Sequence, residues 1–186
     1  MTLKTDPLHR PFRRAAVCGT VLWFLFSGAT IGAGRQEAKP VPPGERPEGF
    51  DLIKKTTHTG TAPWTDTGIE VKAGEEFYFE AEGTVSLQKD NPVAVCGPEG
   101  LNLRTMQQPV TDQNFGCLIG RVLERTEVTV DKDRGEKTVR AFGPTFFIGK
   151  QAQVVMPASG RLLVGVNENV TKDNDGEFAV SIYKKR

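Results

Sequence analysis

RLLVGVNENVTKDNDGEFAVSIY, residues 161–183, holds two alternating apolar runs around an oxygen-rich loop. Leu162, Val164 and Val166 alternate with Leu163, Gly165 and Asn167. Phe178, Val180 and Ile182 alternate with Ala179, Ser181 and Tyr183. A period of two puts one set on a core and the other on a surface, the pattern of a half-buried strand. Between the runs, Gly165–Phe178 gathers Asn, Asp, Glu and Thr side chains with little apolar content. Such a loop is costly to order unless something uses its oxygens.

The same period runs outward from that stretch. Phe77, Phe79 and Ala81 share one face, with Tyr78, Glu80 and Glu82 on the other. Short strand-like runs lie at 52–58, 93–96, 118–123, 126–130, 138–141, 145–148 and 153–156, separated by Gly, Pro, Asp and Asn. The charged segment 131–137 reads as a hairpin tip. No window of helical length carries a 3.6-residue apolar stripe. The expected fold is all-β, a single small β-sandwich or jelly-roll-like domain over residues 51–186.

Residues 1–34 differ in kind. Arg10, Arg13 and Arg14 precede an apolar stretch from Ala15 to Ala33, which ends in small residues. A basic region, an apolar region and a small-residue end describe an export signal. Breaks at Gly19, Thr20, Ser27 and Gly28 favour cleavage over a retained N-terminal anchor. Residues 35–50 carry four prolines without apolar periodicity and read as an extended, Pro-rich linker. The expected location is therefore periplasmic, cell-envelope or secreted, with no membrane insertion of the mature domain. Removing Lys4, Asp6, Arg10, Arg13 and Arg14 takes the formal charge from +1 to −2. That balance argues against a nucleic-acid partner. Cys96 and Cys117 remain, either as a disulfide or as two buried thiols on neighbouring strands.

The loop's oxygens suit calcium, which takes about six to eight oxygen ligands from carboxylates, amides and carbonyls. Asn167, Glu168, Asp173 and Asn174 offer side chains, with carbonyls near Val170 and Thr171. An EF-hand is excluded. Placing Asp173, Asp175 and Gly176 at loop positions three, five and six puts Ile182 where the bidentate Glu belongs. The alternative is a plain polar turn, since Asp and Asn cap turns and Asp175-Gly176 is an ordinary turn pair. Asn169-Val-Thr171 is also a glycosylation sequon.

These residues resemble the small calcium-dependent, galactose-binding lectins of the pseudomonal lectin I type. The likeness rests on Val166-Asn167-Glu168 and Asp173-Asn174-Asp175-Gly176-Glu177-Phe178. Upstream it includes Gly83-Thr-Val-Ser-Leu87, Cys96-Gly-Pro-Glu-Gly100, Leu118-Ile-Gly-Arg-Val122, and Trp64-Thr-Asp-Thr-Gly-Ile69 with Ala73-Gly74. It spans roughly residues 51–183. The resemblance implies a β-sandwich that binds sugar without catalysis, the sugar's hydroxyls completing a calcium shell. Asp173 and Asn174 match paired side-chain ligands, and Glu168 an earlier acidic ligand, with Asn167 as its alternative. Val170 or Thr171 matches a carbonyl ligand, and Leu87 a carbonyl from a distant strand end. Two residues of the family contact the sugar from a segment aligned with 102–108. Gln107 stands for the amide there, and Arg104 replaces a histidine. The shorter loop and the Glu168 substitution also depart from the family pattern, which puts the galactose preference in question. A homo-oligomer is compatible with the resemblance.

Enzyme chemistry lacks parts. His58 is the one histidine after residue 34, and there is no nucleophile elbow and no CxxC. Arg121, inside an apolar strand, reads as an outward or carboxylate-paired side chain, or else as a ligand contact. Trp64 reads as a core or rim plug, or as a stacking platform for a sugar. The competing function is a cell-envelope structural or protein-interaction module on the same sandwich, lacking a sugar site.

Overall fold

The computed structural model describes residues 48–106, 108–130 and 137–186, with the side chains of 129–130 and 137–141 left aside. The expected export segment 1–34 and Gln107 lie outside the described residues, as does linker 35–50 up to residue 47. The described residues form eleven strands in order. They are β1 (Phe50–Thr59), β2 (Thr65–Val71), β3 (Glu76–Ser86), β4 (Val95–Cys96), β5 (Leu118–Leu123), β6 (Arg125–Val130), β7 (Lys137–Phe142), β8 (Thr145–Phe147), β9 (Gln151–Val155), β10 (Gly160–Val166) and β11 (Asp175–Lys185).

Two antiparallel sheets form a β-sandwich, as the alternation predicts. One sheet runs β1-β11-β3-β4, with β9 also on β3; the other runs β2-β10-β5-β8. β9 takes the first half of β3, from Glu76 to Glu80, and β4 takes its end, at Val85 and Ser86. The inward sets meet in one core. Phe77, Phe79, Phe178, Val180 and Ile182 come from the first sheet, and Leu118, Val122, Leu162, Val164 and Val166 from the second. Each such side chain contributes about 1.5–3 kcal/mol by leaving water. β6 and β7 pair as a separate two-stranded sheet, Val130 facing Lys137; the expected hairpin tip at 131–137 lies outside the described residues up to 136.

Three local expectations change. The 93–96 run is only half a strand. Asn91 caps a 3-10 turn over Pro92–Ala94, accepting from Val93 N at 3.2 Å, and the strand is left with Val95 and Cys96. β2 is only weakly signalled in sequence: its burial alternates regularly, but the inward Thr67 is polar and Gly68, at φ +79°, reads as a turn residue; its pairing with β10 shifts register between Arg161 and Leu163. Thr67 Oγ1 donates to Leu162 O at 2.8 Å across that irregularity. Tyr78 is not a surface residue, because Phe50 and Tyr183 bury it on the outer face of the first sheet.

The cysteines are free thiols, both buried. Cys96 joins the main core, whereas Cys117 packs with Val110 and Ile119 in a separate apolar cluster. Burial is the leading cause that raises their pKa values, to about 11 for Cys96 and about 12 for Cys117. Both therefore stay protonated and unreactive.

Candidate functional site

The oxygen-rich loop joins β10 to β11 at one end of the sandwich. β10 ends when Val166 gives way to Asn167, whose amide is wholly consumed by a neighbouring loop. Nδ2 donates to Val110 O at 2.9 Å and Asn114 O at 3.0 Å, and Oδ1 accepts from Val110 N at 2.8 Å. Its backbone pairs with Cys117 O and Gly116 N. Asn167, fully buried, thus clasps the excursion between β4 and β5.

Glu168 and Asn174 come together instead. Asn174 Nδ2 donates to Glu168 Oε2 at 2.7 Å and to Gly60 O at 3.2 Å. Asn174 Oδ1 is buried and has no hydrogen-bond partner. Glu168 is half-buried. Burial pushes its carboxyl above the usual range, Asn174's hydrogen bond pulls it down, and the charge of Asp173 pushes it up again. Asp173 is exposed, and its carbonyl accepts from Lys89 N at 2.7 Å. That bond draws the loop against the end of β3, where Leu87 is buried and its N–H donates to Ala94 O. Thr171 is buried; its hydroxyl donates to Thr61 O at 3.1 Å, and its carbonyl accepts from Asn174 N at 3.3 Å. The Val170 side chain is exposed.

Gly60 carries no signal that sequence alone would single out beyond a glycine after a strand. It is needed because a Cβ there would lie 2.8 Å from Val85 Cγ1 and 3.3 Å from Asn174 Cβ. Its carbonyl holds Asn174, and its N–H donates to Gly176 O at 2.9 Å. Arg104 is exposed and makes no hydrogen bond or ion pair among the described residues. The proposed amide partner Gln107 lies outside those residues.

Tested against calcium, the donor set fits in chemistry. It offers a half-buried carboxylate, an exposed one beside it, and a buried amide oxygen lacking a donor. Among the described residues, no three His, Cys, Asp or Glu side chains cluster to hold a metal. A cation here would therefore draw on Asn174 and carbonyl oxygens as well as on Glu168 and Asp173. A groove of about 1130 Å³ lies elsewhere, on the outer face of the first sheet, lined by Lys55, Glu80, Glu82, Lys150, Gln151 and Tyr183 among others.

On the second sheet, the two residues left open by sequence meet. The Arg121 guanidinium lies 4.2 Å from the centroid of the Trp64 ring. Its Nε donates to Thr145 Oγ1 at 3.3 Å. Trp64 rests on Gly165, where a Cβ would come within 2.8 Å of ring atom Cε3.

No helix among the described residues is long and apolar enough to cross a membrane. The sequence matches no protein-family model and no curated protein. The solved structures include a similar fold, that of the "EclA N-terminal domain; PllA-like lectin", at TM-score 0.50 and 22% identity, covering 75% of this chain and 100% of that one. The chain therefore has a lectin-like β-sandwich fold.

Proposed function

We propose that this is an exported, non-catalytic carbohydrate-binding protein in which calcium bridges loop oxygens and sugar hydroxyls. The observation that carries the reading is Asn174 Oδ1, buried without a donor beside the Glu168 carboxylate. A cation satisfies such an oxygen and neutralises the two acids next to it. Glu168, Asp173 and Asn174 would hold the metal with side chains, and Val170, Thr171 or Leu87 with a carbonyl. Calcium supplies a centre to which two adjacent hydroxyls can bind. The chain's part is to fix the loop through Gly60, Thr61 and Lys89, so that little ordering is left for the binding step. The solved neighbour named a lectin lends support at the level of fold. Arg104 and Gln107 are the proposed rim against the sugar. Replacing a histidine by Arg104 leaves the sugar open, galactose-like or not. Glycan arrays with calcium and with chelator test the reading. Calcium-dependent signal is expected, and sugar binding that survives complete calcium removal overturns the bridging role.

A second reading is a cell-envelope interaction module. The closed Glu168–Asn174 hydrogen bond favours it, because the loop already satisfies part of its own polarity. Envelope proteins captured with the domain, with no sugar on the array, would select this reading.

A further inference from the structure

We propose that Arg121 anchors a second ligand site, on the outer face of the four-stranded sheet, that takes a carboxylate. β5 sets Arg121 between Thr145 of β8 and Leu163 of β10. The sheet backbone at Gly165, the Trp64 indole and the guanidinium then stack in three layers. Thr145 fixes the Nε side of the fork. Both Nη groups lack a protein acceptor among the described residues. By contrast Arg125 pairs with Glu127, Arg161 with Asp66 and Glu70, and Arg186 with Asp51, while Arg104, also unpaired among the described residues, is exposed to water. Arg121 is half-buried and has no carboxylate partner among the described residues. Burial alone perturbs it, drawing its pKa down, but a guanidinium stays charged. A partly desolvated charge without a partner is unfavourable, and a ligand anion relieves it.

The chemistry of the stack selects the anion. A planar fork held on an aromatic ring matches the two oxygens of a carboxylate. Phosphate sites gather several donors and cations, whereas this one has a single unpaired cation, its neighbour Arg161 being committed to Asp66 and Glu70. The surroundings are apolar: Val110, Cys117 and Ile119 are buried there, with Trp64 and Phe147 packed against them. A low local dielectric strengthens a charge-assisted bond, and an apolar wall suits the C–H face of a sugar ring. The carboxylate has two sources, an acidic sugar or a free organic acid. Only the acidic-sugar source rests on the lectin reading.

The test is an NMR titration of the full chain after calcium has been stripped on a chelating resin and the resin removed, so that neither the calcium loop nor a soluble polycarboxylate has a part in it. The Arg121 Nε–Hε and Trp64 indole N–H signals are followed at constant ionic strength. Acetate, glucuronate, glucose and inorganic phosphate are the probes. Saturable shifts at both signals with acetate and glucuronate, and none with glucose, are expected. Glucuronate binding at least tenfold tighter than acetate identifies the acidic sugar; equal binding identifies the free acid. Arg121→Met abolishes the shifts, and Arg121→Lys, which keeps the charge, weakens them about tenfold. Backbone spectra of both variants report that the fold is retained. No saturation by either carboxylate overturns the proposal. So does phosphate binding as tight as acetate, or wild-type shifts in a folded Arg121→Met, which would leave Arg121 as a cover for Trp64.

Discussion

Asn174 donates through Nδ2 to Glu168 Oε2 at 2.7 Å, while its own Oδ1 is buried with no donor in reach. A buried acceptor left bare costs about 1–3 kcal/mol. The same side chain therefore stabilises the loop at one atom and strains it at the other.

Calcium should relieve that strain and raise the melting temperature. At a concentration a hundredfold above its dissociation constant, the gain is about 2.7 kcal/mol. Asp173→Ala should lose most of the rise, and its exposed side chain makes a folding defect an unconvincing explanation. Thermal scans with calcium and with chelator measure both. An undiminished rise in the variant would move the metal elsewhere.

Glu168 predicts a pH dependence of defined sign. Its folded pKa lies above the ordinary 4.5, first because of burial. The folded, metal-free state thus holds the proton more tightly than the unfolded chain. Its stabilising contribution is complete below pH 4.5 and fades as pH rises through the raised value. Glu168→Gln should flatten this fall in urea titrations with chelator. With calcium the slope should reverse over the same window, because metal binding favours the carboxylate.

His58 gives the opposite signature. It is fully buried; Nδ1 meets Thr65 Oγ1 at 2.9 Å, and Nε2 has no partner. Burial lowers its pKa from 6.5 to about 4. The unfolded chain takes up the proton first, so stability is full above pH 6.5 and is lost as pH falls through 4. The loss is about 3 kcal/mol. His58→Gln should remove that acid-side fall, read from denaturation midpoints at pH 7, 5.5 and 4.

Asn167→Ala tests the clasp. It leaves the buried Val110 N–H without its acceptor and takes one donor each from Val110 O and Asn114 O, which keep Gln108, Gln113 and Cys117 as partners, a cost of about 1–3 kcal/mol. Amide exchange should accelerate across 108–116 well before it does in β10 or β5. Uniform acceleration over the whole sandwich would show that the excursion is not separately held.

The sandwich was legible because its core strands obey the period of two: Phe77/Phe79, Leu162/Val164/Val166 and Phe178/Val180/Ile182 all face inward. β2 was not, because its inward set Thr67, Ile69 and Val71 begins with a polar residue and is interrupted by Gly68, a residue type that reads as a turn. Within the loop, residue types pointed to Asn167 and Glu168 alike. Only packing separates them, sending Asn167 to Val110 and Glu168 to Asn174. Gly60 escaped notice because its part is played by a backbone carbonyl and by the lack of a side chain. Arg121 and Trp64 were each singled out, but their stacking joins positions 57 residues apart, and no local pattern encodes it.

β1 has a mechanical consequence. It starts beside the C-terminus, where Arg186 N donates to Gly49 O and the Arg186 side chain pairs with Asp51. It ends at Thr59, next to Gly60, the residue that holds Asn174. Its ten residues span about 33 Å and pair with β11 from Phe50–Lys185 to Thr59–Glu177. A tension applied between the N-terminal edge of the domain and the 167–174 loop therefore runs along β1 and loads its bonds to β11 together, in shear. A tension between the two chain ends instead peels the same bonds one pair at a time, starting at Phe50. The domain is thus built to resist a pull on its loop far better than a pull on its tails.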